Sequence, residues 1–127
     1  MKLDRIDHFV LTVADIDVTC DFYVRVLGLQ VVTFKGGRRA LAFGNQKINL
    51  HQAGAEFLPR ADKVTPGSGD FCLISQTPLE QVIAHLNAED VTIEEGPVER
   101  TGATGPILSV YLRDPDQNLI EISQYSD

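Results

Sequence analysis

The feature that most constrains this chain is that one order of elements occurs twice. Residues 6–13 alternate apolar and polar side chains as a strand does. Residues 18–27 place Val18, Phe22, Val26 and Leu27 on one helical side, with Asp17 as the expected N-cap and Gly28 as the stop. Strand patterns follow at 29–34, 39–43 and 47–52, separated by Gly36-Gly37 and Gly44-Asn45. The order then returns. Residues 70–75 read as a strand. Thr77-Pro78-Leu79-Glu80 opens a helix over 78–89 with a capping box. Strands are expected at 92–95, 107–113 and 118–123, with Asp114-Pro115-Asp116 as the last turn. The chain is therefore read as α+β: two βαβββ modules, about 1–53 and 70–127, making one domain. Residues 54–69 are a linker. Residues 96–105, rich in Gly and carrying Arg100, are either a plain connection or a loop that folds over a pocket.

At 127 residues one such domain buries enough surface to fold without a staple. Lys and Arg number 11 against 18 Asp and Glu, a formal charge of -7, which argues against nucleic-acid and anionic-membrane partners. No apolar run approaches the roughly 18 residues of a membrane span, and the first residues do not read as a signal peptide. Cys20 and Cys72, without zinc-like spacing, read as buried thiols in a reducing, cytoplasmic setting.

Alternation divides each strand between two faces. Phe9, Leu11 and Val13 form one apolar set, as do Ile48 with Leu50, Phe71 with Leu73, and Ile120 with Ile122. These sets should meet the helices. The opposite faces carry His8, Val10 and Thr12; Lys47, Asn49 and His51; Asp70 and Cys72; and Leu119, Glu121 and Ser123. One curved mixed sheet, helices outside and a polar concavity inside, accommodates this pattern. His8, His51 and Glu121 on matching faces form a candidate divalent-metal set. A strand histidine is also commonly a satisfied structural residue, and spacing does not show that the three meet. His85, on the second helix, reads as surface.

The runs Asp7-His8-Phe9-Val10-Leu11, Asp21-Phe22-Tyr23-Val24-Arg25-Val26-Leu27-Gly28 and Asp114-Pro115-Asp116-Gln117-Asn118-Leu119-Ile120-Glu121-Ile122 resemble the vicinal oxygen chelate superfamily. That superfamily includes glyoxalases, bleomycin-resistance proteins and extradiol dioxygenases. Lys47-Ile48-Asn49-Leu50-His51-Gln52 and Glu95-Gly96-Pro97-Val98 resemble, more narrowly, a group of glyoxalase-domain-containing proteins, some of whose bacterial members carry the label virulence protein. The resemblance implies up to four metal-ligand positions, on the first and last strand of each module. The first maps to His8 and the last to Glu121. Between them this chain has Asn49 where the glyoxalase pattern has Glu, and Asp70 where many members have His. His51 could restore a second imidazole, and Asp70 could be an oxygen ligand or a general base.

The resemblance implies a zinc, nickel, manganese or iron ion that polarises two adjacent substrate oxygens, with Glu121 or Asp70 moving the proton. Asn49, Arg100 and Ser123 would line the substrate pocket. The expected activity is lyase- or isomerase-like, or ring cleavage. The rival implied by the same resemblance is metal-free sequestration of a small molecule, as in bleomycin-type members. Short two-module relatives pair as homodimers, so a homodimer with a site shared between chains is expected.

Overall fold

A computed structural model describes residues 1–126. The chain divides into two compact units, Met1–Gly67 and a second beginning at Ser68. Each repeats the order strand, helix, three strands.

The first unit contains β1 (His8–Val13), α1 (Ile16–Leu27), β2 (Gln30–Phe34), β3 (Arg38–Phe43) and β4 (Gln46–Gln52). Its sheet has the order β1-β4-β3-β2, with β1 parallel to β4 and the other pairs antiparallel. Helix α1 begins two residues earlier than the periodicity predicts. Asp15, not Asp17, is the N-cap: its side chain accepts from the backbone N–H groups of Asp17 and Val18. Asp17 instead pairs with Arg39 on β3 at 2.7 Å. Gly28 ends the helix at φ 72°, where a residue without Cβ adopts the left-handed conformation at no steric cost. Tyr23, Val26, Leu11, Val13, Leu41, Ile48 and Leu50 are buried. Burying one such aliphatic side chain contributes about 1.5–3 kcal/mol.

The second unit contains β5 (Asp70–Ile74), α2 (Leu79–Ala88), β6 (Glu95–Thr101), β7 (Pro106–Arg113) and β8 (Leu119–Tyr125). Its sheet runs β5-β8-β7-β6, again with one parallel pair, β5 and β8. Hydrogen bonding thus forms two four-stranded mixed sheets, one per unit, where the sequence suggested a single sheet.

Two expectations in the second unit need correcting. The segment 96–105 is largely strand: β6 pairs with β7, and only residues 102–105 form the turn, with the Gly102 N–H donating to the Gly105 carbonyl at 2.8 Å. Gly and Pro hid the strand because a register shift between Glu95 and Val98 takes them up. Gly96 has φ 108°, and a Cβ there would lie 2.3 Å from the Ser109 carbonyl oxygen. The expected capping box is also absent: no side chain at the Pro78 cap bonds to α2. The Leu79 N–H donates instead to Gln124 Oε1 of β8 at 2.8 Å.

The first unit uses the same device. Ile16 N–H donates to Gln52 Oε1 of β4 at 3.2 Å, and Gln52 Nε2 donates back to the Ala14 carbonyl at 2.6 Å. Lys47 lies beside the first residue of β1 and Leu119 beside the first of β5. Counting from those pairs, Gln52 and Gln124 are equivalent, as are Asn49 and Glu121.

The Asp114 to Asn118 turn is a closed hydrogen-bonded structure. Asp114 Oδ1 accepts from the N–H groups of Asp116 and Asn118, and Oδ2 accepts from Asn118 Nδ2 at 2.8 Å. Asn118 Oδ1 accepts from the Gly69 N–H at 2.6 Å, tying the turn to the start of β5. Both side chains are buried. Cys20 is buried, whereas Cys72 is exposed, correcting the expectation that both are core thiols. His85 is exposed on α2, as expected. Among the described residues, no helix is long and apolar enough to cross a membrane.

Candidate functional site

Strand pairing fixes which side chains share a face in the first unit. His8 lies beside Lys47, Val10 beside Asn49, and Thr12 beside His51. On the other side of Asn49 is Ala40. All of these point away from the face that carries Leu11, Val13, Ile48 and Leu50.

His8 is exposed, and its Nδ1 lies 2.8 Å from Asp7 Oδ2. An ionised carboxylate can only accept, so Nδ1 is the donor in this bond and Nε2 is the nitrogen left to face outward. The same bond holds the Asp7 carboxyl below its ordinary range. Asn49 is buried, and its Oδ1 has no hydrogen-bond partner; its neighbours Val10 and Ala40 offer none.

His51 is 3% exposed, and neither of its ring nitrogens has a hydrogen-bond partner. Phe57 packs edge-on against the imidazole, with ring centroids 5.5 Å apart. The Arg38 guanidinium lies 4.3 Å from the Phe57 ring and 5.5 Å from Phe34, and Lys47 Nζ lies 3.8 Å from Phe34. Burial pushes the His51 pKa below its ordinary value; the positive charge of Arg38 adds to the shift and Glu56 opposes it. The ring is therefore neutral at pH 7, with one donor and one acceptor nitrogen. It faces a cavity of about 440 Å³ whose other walls are Val10, Thr12 and, from the segment after β4, Pro59, Arg60, Ala61 and Val64. That segment reads only as a linker in the sequence. Its irregular composition gives no periodic signal, so Phe57, Arg60 and Val64 were not legible as site residues.

His8 and His51 are not brought together within their sheet. Four residues separate them in register, about 13 Å along the strands at 3.3 Å per residue, too far for one ion to bond both imidazoles.

In the second unit, Asp70 is exposed at the start of β5 and lies beside Leu119. Glu121 lies between Cys72 and Tyr111, and Ser123 beside Ser109. Ser109 Oγ donates to Glu121 Oε2 at 2.6 Å; Ser123 Oγ is 2.6 Å from Ser109 Oγ, and Cys72 Sγ is 3.2 Å from Ser123 Oγ. Each hydroxyl has one proton. With Ser109 donating to Glu121, the chain is satisfied when Ser123 donates to Ser109 and the Cys72 thiol donates to Ser123. On the other side, Arg100 Nε donates to the Tyr111 hydroxyl at 3.1 Å, while Arg100 Nη2 pairs with Glu95 at 2.7 Å. Desolvation pushes the Tyr111 pKa up; the Arg100 hydrogen bond opposes the shift and the negative charge of Glu121 adds to it. Glu121 thus accepts from Ser109, with Ser123 and Cys72 behind it, while Tyr111, held by Arg100, lies beside it on β7.

Among the described residues, no group of three or more His, Cys, Asp and Glu side chains is assembled in a way that could hold a metal ion. His8 in the first unit and Glu121 in the second each carry a donor of a kind that divalent cations take, an imidazole held by a carboxylate and a carboxylate held by a hydroxyl.

Residues 5–122 match the model of the glyoxalase/bleomycin resistance protein/dioxygenase superfamily. The chain is 60% identical to virulence protein STM3117 of Salmonella typhimurium over 125 residues, 98% of this chain and 87% of that protein. The crystal structure of that protein superposes with a TM-score of 0.98, covering 99% of this chain and 100% of that one. A glyoxalase domain-containing protein, RDO1, of Mycosarcoma maydis is 54% identical over 127 residues, all of this chain and 72% of that protein. Two more distant structures share the fold. A lactoylglutathione lyase from Agrobacterium tumefaciens is 23% identical, with a TM-score of 0.75 over 98% of this chain and 96% of that one. TnmS3, an antibiotic-binding protein from a Streptomyces species, is 22% identical, with a TM-score of 0.77 over 99% of each chain.

Proposed function

Because this chain belongs to the glyoxalase/bleomycin resistance protein/dioxygenase superfamily, we propose that it is a divalent-metal-dependent enzyme of lyase or isomerase type. Its substrate is a small molecule with two adjacent oxygen atoms. The observation that carries this reading is the Asp7–His8 pair. A carboxylate that holds one imidazole nitrogen and leaves the other exposed is the orientation that metal-binding histidines use. His8 and Glu121 are the ligands in this proposal. The ion supplies Lewis-acid stabilisation of negative charge on the substrate oxygens.

The chain's own residues supply the rest. Asp7 fixes the His8 tautomer. Ser109 holds Glu121 by a direct hydrogen bond, Ser123 stands behind Ser109 in the same chain, and Tyr111 flanks Glu121 on β7. A carboxylate fed by a row of hydroxyls suits the exchange of a substrate proton, which favours lyase or isomerase chemistry over ring cleavage. Asp70, exposed on the same face of its sheet, is the second candidate base. A homodimer belongs to the same proposal, and sedimentation at twice 14.0 kDa tests it.

The test is metal content by elemental mass spectrometry after reconstitution with zinc, nickel, manganese or iron. About one ion per chain is expected. His8→Ala and Glu121→Ala should lose it, and Asp7→Asn should weaken affinity by about 10- to 100-fold. Failure of the wild-type chain to take up any of the four ions overturns the proposal.

A further inference from the structure

The His51 cavity is independent of the proposed metal ligands and has its own chemistry. It lies in a part of the first unit whose charge runs against the chain as a whole. The protein carries a net -7, yet Arg60 lines this cavity and Arg38 stands over Phe57 beside His51, opposed by Glu56. Arg60 lines the cavity and spends only Nη1 on its ion pair with Glu56, at 3.3 Å. The rest of a five-donor guanidinium is left for another acceptor.

His51 is the second element. A polar side chain 97% buried with no partner costs folding free energy, and a ligand that bonds to it recovers that cost. Its ring presents an acceptor and a donor, the complement of a hydroxyl group. Thr12 adds a hydroxyl beside it, while Val10, Ala61 and Val64 give the remaining wall an apolar character. About 440 Å³ suits a ring or short branched chain with its substituents.

We propose that the cavity over His51 binds a small organic anion that joins an apolar body to a hydroxyl group, an aromatic hydroxy acid being the simplest case. The hydroxyl meets His51, the carboxylate meets Arg60, and the body rests on Val10, Ala61 and Val64.

Titration calorimetry on chelator-treated protein tests this with 4-hydroxybenzoate and 3-phenyllactate as probes. Benzoate lacks the hydroxyl, and 4-hydroxybenzyl alcohol lacks the carboxylate. At least one hydroxy acid should bind, and its advantage over the control lacking a group should be about tenfold or more. His51→Leu should remove the hydroxyl preference and Arg60→Gln the carboxylate preference. Val64→Trp, which fills the cavity from the segment after β4 without replacing a buried polar group, should abolish binding. In ¹⁵N spectra of the wild type, the His51 ring resonances should shift on addition of the probe. Equal binding of probes and controls, binding that survives both His51→Leu and Val64→Trp, or no binding of either acid up to about 10 mM with unshifted His51 resonances would each overturn the proposal. Since no metal is present, none of these outcomes bears on ion uptake by His8 and Glu121.

Discussion

Residue His51 opposes the fold that contains it. Its imidazole is buried among Phe57, Thr12 and the cavity wall with both nitrogens unbonded, so replacing it with an apolar side chain removes a penalty. His51→Leu should leave thermal stability unchanged or raise it by up to about 1 kcal/mol, measured by denaturant titration at pH 7. A histidine serving the core would instead lose stability on substitution. The pH dependence follows from the same burial. The folded pKa lies below the unfolded value near 6.5, so the unfolded chain binds the proton first as pH falls. His51 therefore costs least above pH 6.5 and destabilises progressively below it. The slope of stability against pH between 6.5 and 5 should be shallower in His51→Leu than in the wild type.

At the scale of elements, Gly96 and the Asp114 to Asn118 turn show what is held most tightly. Gly96→Ala sets a Cβ 2.3 Å from the Ser109 carbonyl at a φ of 108°. It should destabilise by at least about 2 kcal/mol and loosen the β6–β7 pairing, read as faster amide exchange at Val98 and Arg100. Asn118→Ala strips the Gly69 N–H of its acceptor and should cost about 2–3 kcal/mol in the same denaturant titration.

These elements also mark how far sequence reasoning reached. Alternation in β1, β4, β5 and β8 assigned both faces, and the register bears out the pairing of Asn49 with Glu121 across the repeat, because period-two burial is written directly into residue type. β6 was not legible, since its Gly and Pro are accommodated by a register shift that composition does not announce. The helix starts were misassigned for a related reason. Their partners, Gln52 and Gln124, lie 36 and 45 residues away in sequence, beyond any local capping signal. The His51 cavity was half legible: the histidine and its face were, its far wall was not.

Over the whole molecule, the two units follow one design, and the repeat extends to single hydrogen bonds. In each unit the first N–H of the helix is answered by a glutamine near the end of that unit's final strand. This bears on the order of events as the chain folds. The helix comes early in the sequence of its module, but its N-terminal bond cannot close until the last strand has arrived beside the first. The glutamines therefore act as latches that report completion, and their contribution belongs late on the folding path. Gln52→Ala and Gln124→Ala should each speed unfolding while leaving the refolding rate close to that of the wild type, a low φ-value at both positions. Stopped-flow kinetics would show whether the two latches close in one phase or in two, and hence whether the repeated modules mature together or in turn.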